Sequence, residues 1–155
     1  MGQKVNPNGM RIGINRDWNS RWFADDKDFA KFLHEDIKVR KYLTKELKDA
    51  LVSHIEIERH KNDKGQDVVV MMFVARPGVV IGQDGANINR LKKEVAKLLK
   101  GSSVRLDVVE VKQPDLDAQL VAQWIATELE NRASFRTAQK KAIQRVRKAG
   151  AKGCK

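Results

Sequence analysis

Two glycines separated by two residues could bring the backbone close to a polyanion. Gly82, Gln83, Asp84 and Gly85 follow a short apolar segment and precede an amphipathic stretch. Because glycine has no Cβ atom, such a turn can approach a sugar-phosphate backbone, and the helix that follows offers its first N–H groups to a phosphate. A turn between two helices also uses glycine for geometry alone, so these residues by themselves indicate a binding site only weakly.

The C-terminal end of the chain is strongly basic. After Glu130 there are nine basic residues and no acidic one. They are Arg132, Arg136, Lys140, Lys141, Arg145, Arg147, Lys148, Lys152 and Lys155. They supply most of the net charge of +11, so residues 1–130 are nearly neutral. A solvated surface usually mixes both signs of charge, so this one-sided end predicts contact with a polyanion.

A helix over residues 132–149 would place these cations on one side. At about 100° per residue, an arc of roughly 80° holds Arg132, Arg136, Lys140 and Arg147. Lys141, Arg145 and Lys148 lie further round the helix, between this arc and the apolar side. The apolar side is predicted to consist of Phe135, Ala138, Ala142, Val146 and Ala149. The helix would dock on protein with one side and meet phosphates with the other, so its binding should weaken steeply with salt.

The composition indicates a folded protein with a heavily charged surface. Hydrophobic residues make up 41% and charged residues 33% of the 155 positions. No apolar run approaches the roughly 18 residues of a membrane span. The pI of about 9.9 leaves nucleic acid and an anionic membrane open as partners. The single cysteine, Cys154, excludes an internal disulfide and favours an intracellular location.

Other chemistry finds little support in the sequence. His34, His54 and His60 accompany no recognisable nucleophile motif, and structural histidines explain them better. The acidic pairs at residues 25–26 and 115–117 suit helix starts better than metal sites. No Walker-type phosphate loop is present. We therefore expect no catalytic residue, no metal and no cofactor.

Residues 1–24 are predicted to form an extended basic tail, because the Gly and Pro residues there oppose regular structure. Lys4 and Arg11 are candidate contacts for a polyanion in this tail. Trp18, Trp22 and Phe23 could anchor its end on a core.

The remaining pattern alternates helices and strands. We predict a helix over 25–51, a hairpin of strands 52–59 and 67–75 around a polar turn, a helical turn at 79–81, a helix over 86–100 capped by Gly101, a strand over 104–111, and helices over 114–130 and 132–149. In this order the two glycines stand where KH domains grip about four nucleotides. KH loops usually carry basic residues between the glycines, and Asp84 departs from that pattern because a carboxylate repels phosphate.

Several scattered segments carry a resemblance to a known family. They are residues 1–11 (MGQKVNPNGMR), 40–43 (RKYL), 75–78 (ARPG), 111–122 and 135–153. In these segments the whole chain resembles the bacterial-type small-subunit ribosomal protein uS3 family. The family normally continues into a second α/β domain, so we expect the present chain to be either a truncated product or a part of a longer protein.

The resemblance implies an α+β fold. It implies a type II KH domain of order α-β-β-α-α-β, with a three-stranded sheet packed against helices. The expected divisions are a tail at 1–24, an N-terminal domain at 25–112 with the KH fold at about 39–111, and a helical linker and basic helix at 113–155. Those last two helices would begin the second domain.

The resemblance also implies a function without catalysis. The chain would be a cytoplasmic, ribosomal constituent that binds 16S rRNA in the head of the small subunit, touches neighbouring head proteins and lines the channel by which mRNA enters. The family lines that channel with basic side chains at positions matching Arg136, Thr137 and Lys140, where Thr137 departs from a commonly basic position. The predicted RNA contacts are Gly82, Gln83, Gly85, Lys4, Arg11, Arg132, Arg136, Lys140, Lys141, Arg145, Arg147 and Lys148.

Two rival interpretations stay open. A free-standing KH-type RNA-binding protein fits the two glycines but explains the tail and the basic end less well. An RNA-processing enzyme would need metal- or histidine-dependent cleavage, for which the sequence offers no residues.

Overall fold

The predicted order of helices and strands is present in the structure, a computed structural model that describes residues 2–62, 65–99 and 102–154. The elements are β1 (Ser20–Arg21), α1 (Asp26–Glu46), β2 (Val52–Asn62), β3 (Gly65–Val74), α2 (Pro77–Ile81), α3 (Ala86–Leu98), β4 (Ser103–Glu110), α4 (Ala118–Glu130) and α5 (Phe135–Lys148). From α1 to β4 the order is α-β-β-α-α-β. The predicted α+β fold class is confirmed. None of the described helices is both long and apolar enough to cross a bilayer.

The sheet has four strands in the order β1-β2-β3-β4. β2 and β3 form an antiparallel hairpin in which Ile57 faces Val70. β4 runs parallel to β3, with Leu106 opposite Val70, because the helical crossover through α2 and α3 brings the chain back in the same direction. The prediction of three strands was short by one: Ser20 and Arg21 of the tail pair in parallel with β2.

The hairpin strands are longer than predicted. β2 continues to Asn62 and β3 begins at Gly65. The predicted turn residues Asp63 and Lys64 lie outside the described residues, and so does the predicted cap Gly101.

One face of the sheet packs against α1 and α3. Alternate strand residues such as Ile57, Val70 and Met72 are fully or almost fully buried, and Leu43 and Leu91 cover them from the helices. The alternation seen in the sequence is therefore the alternation between core and surface that strands impose.

α1 buries a different stripe from the one that its large apolar residues suggest. Phe29, Leu33 and Ile37 remain between 40% and 50% exposed. The buried side chains include Asp36 and Val39 instead. The core-facing stripe is displaced because Asp36 is held inside by Arg59, with a distance of 2.6 Å between Oδ1 and Nη2.

The end of the tail is anchored to this helix. The Trp22 Nε1–H donates to Asp36 Oδ2 at 2.8 Å, and the Trp22 ring packs against Phe29 and Phe32. The Arg40 guanidinium donates to Asn19 O at 2.8 Å. Of the aromatic residues predicted as anchors, Trp22 has this role, whereas Trp18 and Phe23 are 60% and 90% exposed.

The rest of the tail is not fully extended. Residues 8–16 turn back on themselves: Arg11 N–H donates to Asn8 O at 3.0 Å, and Gly13 N–H donates to Arg16 O at 3.0 Å. The tail therefore approaches the sheet through a local loop rather than a straight segment.

α4 begins later than predicted and is tied to β2. Residues 114–116 form a single turn of 3-10 helix, and Asp117 caps α4 by accepting from the N–H groups of Gln119 and Leu120. Ser53 Oγ donates to the other oxygen of Asp117 at 2.5 Å, and Gln123 Nε2 donates to Val52 O at 2.9 Å. These bonds fix the N-terminal part of α4 beside the start of β2.

Candidate nucleic-acid interface

The turn between α2 and α3 requires its first glycine for folding. Gly82 has φ +72° and ψ −175°, a region that is essentially limited to glycine. A Cβ atom there would lie 2.8 Å from Asn87 Cβ. The Asn87 side chain closes the turn, because its Nδ2–H donates to Val79 O at 2.9 Å. The structure thus gives Gly82 a structural reason for being glycine.

We expect the two glycines to differ in their tolerance of alanine. Gly82→Ala should lower the free energy of unfolding by about 3 kcal/mol, since it adds a steric overlap to an unfavourable backbone conformation. Gly85→Ala, at φ +74° with its nearest neighbours at 3.9 Å, should lower it by about 1 kcal/mol. Urea unfolding of both variants checks this, and equal losses would contradict it.

The surroundings of this turn combine apolar and acidic groups. Val79 and Ile81 of α2 are 44% and 43% exposed, so they offer an apolar surface on which an unstacked base could lie. Gln83 and Asp84 are also exposed. The turn can therefore approach a backbone at Gly82 and Gly85, while the carboxylate of Asp84 opposes phosphate.

α5 carries its cations on a surface that faces solvent. Ala138, Ala142 and Val146 are buried, which confirms the centre of the predicted apolar side. The prediction was wrong at both ends of that side, where Phe135 is 59% exposed and Ala149 is exposed. Both positions lie at the ends of α5, where Phe135 is the first residue and Ala149 directly follows the last. The exposed cations of α5 are Arg136, Lys140, Lys141, Arg145, Arg147 and Lys148.

Two of the predicted basic contacts differ from the others. Arg132 does not belong to the helix, which begins at Phe135; it lies in the preceding turn with φ +61°, a left-handed conformation that is unfavourable for a residue with a Cβ atom. Arg145 is already paired, with its Nη2 2.6 Å from Asp115 Oδ1 and its guanidinium carbon 4.9 Å from the Trp124 ring centre. Its charge is therefore partly neutralised within the protein.

The tail cations form a separate group. Lys4 and Arg11 are both exposed, and Arg11 donates to Pro7 O at 2.7 Å. In the described part of the chain no hydrogen bond or ion pair joins this tail to the α2–α3 turn or to α5. The predicted RNA contacts thus form three surfaces: the tail, the glycine turn and α5.

A serine, a histidine and an aspartate are linked by hydrogen bonds at the place where α4 is attached to β2. Ser53 Oγ lies 2.9 Å from His54 Nδ1 and donates to Asp117. The His54 ring stacks on Phe73 with 4.1 Å between ring centres, and burial lowers the pKa of His54. Since both oxygens of Asp117 are used to hold α4 and Ser53, this cluster connects α4 to the sheet. The described residues contain no group of three or more His, Cys, Asp or Glu suited to a metal ion.

Comparisons with known proteins agree with this arrangement. A family model described as a KH domain matches residues 38–116, from the second half of α1 to the turn before α4. The small ribosomal subunit protein uS3 of Streptococcus pyogenes serotype M5 (strain Manfredo) is 54% identical over all 155 residues, and so is that of Streptococcus agalactiae serotype III (strain NEM316). In both cases the match includes 100% of this chain and 69% of the relative. The chain therefore belongs to the small ribosomal subunit protein uS3 family.

Proposed function

We propose that this chain is a structural constituent of the small ribosomal subunit that binds 16S rRNA in the subunit head. Its family and its KH domain support this role. The observation that carries the proposal is α5, where small buried residues fix one side of the helix and cations without any acidic residue cover the other. Such a surface neutralises phosphates regardless of base sequence.

We also propose that α5 helps to form the channel by which mRNA enters the subunit. Arg136 and Lys140 are exposed near its N-terminal end, and the Arg136 guanidinium carbon lies 5.9 Å from the centre of the exposed Phe135 ring. Cations can hold a passing strand by its phosphates without selecting its sequence, which is what a channel for every mRNA requires. Thr137 contributes no charge, so the contact depends on its neighbours.

The glycine turn is proposed to have a secondary role. Gly82, Gln83 and Gly85 allow a close approach of RNA, and Val79 and Ile81 can receive a base. Asp84 weakens any grip on phosphate, so most of the electrostatic contribution falls to α5.

The proposed domain organisation of the chain has three parts. Residues 1–24 form a basic tail, residues 25–112 the domain with the KH fold, and residues 113–155 the helices that begin a second domain. No catalytic step is proposed for any of them, and the proposed location is the cytoplasmic ribosome, with neighbouring head proteins as further partners.

Incorporation into ribosomes tests this function against that of a free-standing KH protein. A tagged copy of the chain, expressed in a streptococcal host and separated on sucrose gradients, should sediment with small subunits and approach one copy per subunit. It should stay there after washing in high salt, because assembly surrounds the protein with RNA. A chain that remains in the soluble fractions, or that leaves the subunit in moderate salt, would contradict the proposal.

A further inference from the structure

A row of lysines runs along the outer side of α1. Its members are Lys27, Lys31, Lys38, Lys41 and Lys45, and all of them are exposed. At about 100° and 1.5 Å per residue they lie within an arc of roughly 80° and span about 27 Å along the axis. This arc is nearly opposite to the buried residues Asp36, Val39 and Leu43. We call these five residues the lysine row.

Most of the charge of the lysine row is not neutralised by ion pairs among the described residues. α1 has six basic and five acidic residues, so its composition appears nearly neutral, but the structure separates the signs. Asp36 and Glu35 bind Arg59 at 2.6 and 2.9 Å, and Glu46 binds Arg90 at 3.2 Å. Of the acidic residues of α1, only Asp26 and Asp28, in the first turn beside Lys27, are left near the row. In the described residues no ion pair involves any lysine of the row.

The row has an energetic cost in the free protein. Lys27 and Lys31, and likewise Lys41 and Lys45, are four residues apart on the helix, a spacing at which like charges repel. A polyanion that binds the folded chain would remove this repulsion and stabilise the helix. Lysine ammonium groups suit phosphates, which they contact as point charges.

We propose that the lysine row is a further RNA-binding surface that contacts successive phosphates of ribosomal RNA separately from α5. The inference rests on the proposed binding of 16S rRNA and adds a site within it. In the described part of the chain no hydrogen bond or ion pair links α1 to α5. The two basic surfaces can therefore contact different RNA segments.

The test compares RNA binding by the 155-residue chain and by a variant with Lys31, Lys38, Lys41 and Lys45 all changed to Gln. The RNA is a transcript of the small-subunit head, and affinity is measured over a salt series. We expect the variant to bind on the order of 100-fold more weakly at 0.15 M salt, with the slope of log affinity against log salt reduced by about 3. The thermal midpoint of the free variant should be unchanged or higher, because a repulsion has been removed.

A matched control removes the same charge elsewhere. Lys48, Lys61, Lys92 and Lys112 are exposed lysines outside the row, and their joint change to Gln should weaken binding less than about 5-fold, since net charge alone acts through screened, long-range attraction. Arginines at the four row positions should restore affinity. Equal losses in the row variant and the control would overturn the inference.

The outcomes separate this inference from the function on which it rests. If the unchanged chain shows no measurable binding to head RNA at 0.15 M salt, both fail. If the unchanged chain binds head RNA and the row variant binds equally well, only the lysine row is excluded. Binding to phosphatidylglycerol vesicles that is lost in the row variant while RNA binding is kept would assign the row to a membrane surface and overturn the proposal.

Discussion

Changing Arg136, Lys140, Lys141, Arg147 and Lys148 together to Gln should lower the affinity for small-subunit head RNA on the order of 1,000-fold at 0.15 M salt. Each phosphate contact adds about 0.7 to 0.9 to the slope of log affinity against log salt, so the loss of five contacts reduces that slope by about 4. α5 should stay folded, because Ala138, Ala142 and Val146 hold it on the protein and the removed side chains repel one another.

A charge-conserving variant provides the control for this result. Exchanging Arg for Lys and Lys for Arg at the same five positions keeps every charge and should change the affinity only a few-fold. A chain that ends at Glu130 should lose at least as much affinity as the glutamine variant. If the glutamine variant kept the original affinity and slope, RNA binding would belong to the glycine turn, the tail or the lysine row instead.

Much of this interface was predictable because α5 is simple in sequence. Its cations follow Glu130 without any acidic residue, so the sign of the surface did not depend on how the helix packs. The pairing of Arg145 with Asp115 was not predictable, because it joins residues 30 positions apart and requires that the turn before α4 fold beside α5. The basic character of the surface could thus be predicted from the local sequence. Which of its cations are paired within the protein could not.

The lysine row shows the opposite case. Lysines and acidic residues are mixed along α1, so the net charge of the helix is close to zero. The signal was present in the spacing of residues 27, 31, 38 and 45, which repeats after four and then seven positions, a spacing that returns to one side of a helix. This spacing could be interpreted only once the structure showed that Glu35 and Asp36 bind Arg59.

The fourth strand of the sheet, β1, could not be predicted from the sequence either. Two residues cannot display the alternation that predicts a strand, and Ser20 and Arg21 pair with β2 because contacts from other elements hold them there. The Arg21 guanidinium lies 2.6 Å from Glu56 and 2.8 Å from Glu58 of β2. These contacts form only after β2 and α1 have assembled, so tertiary structure decides the strand.

Changing Arg59 to Met should be among the most destabilising single substitutions in the chain. The Arg59 side chain is 2% exposed, and its guanidinium binds Asp36 and Glu35 and lies 4.7 Å from the Phe32 ring centre. Its removal leaves the carboxylate of Asp36, which is 4% exposed, without its cation. Breaking a buried pair in this way costs about 3 to 5 kcal/mol, a large part of the stability of a domain of this size.

The exposed pair of Arg90 and Glu46 provides the matched comparison. Its separation is longer, 3.2 Å, and its side chains are 57% and 33% exposed, so Arg90→Met should lower the free energy of unfolding by less than about 1 kcal/mol. Urea unfolding followed by circular dichroism measures both. A loss below 1 kcal/mol for Arg59→Met would mean that Asp36 finds water or another partner when the arginine is removed.

Combining Arg59→Met with Asp36→Leu tests why the first change is costly. If the cost is an unpaired buried carboxylate, removing that carboxylate should restore a large part of the stability, since apolar residues can replace a buried pair at little cost. The double variant should nevertheless lose the anchoring of Trp22, whose indole N–H donates to Asp36, and its tryptophan fluorescence should shift toward that of an exposed indole. Recovery of stability without this shift would mean that the aromatic contacts with Phe29 and Phe32 alone hold the tail, and the polar network would then serve the core rather than the tail.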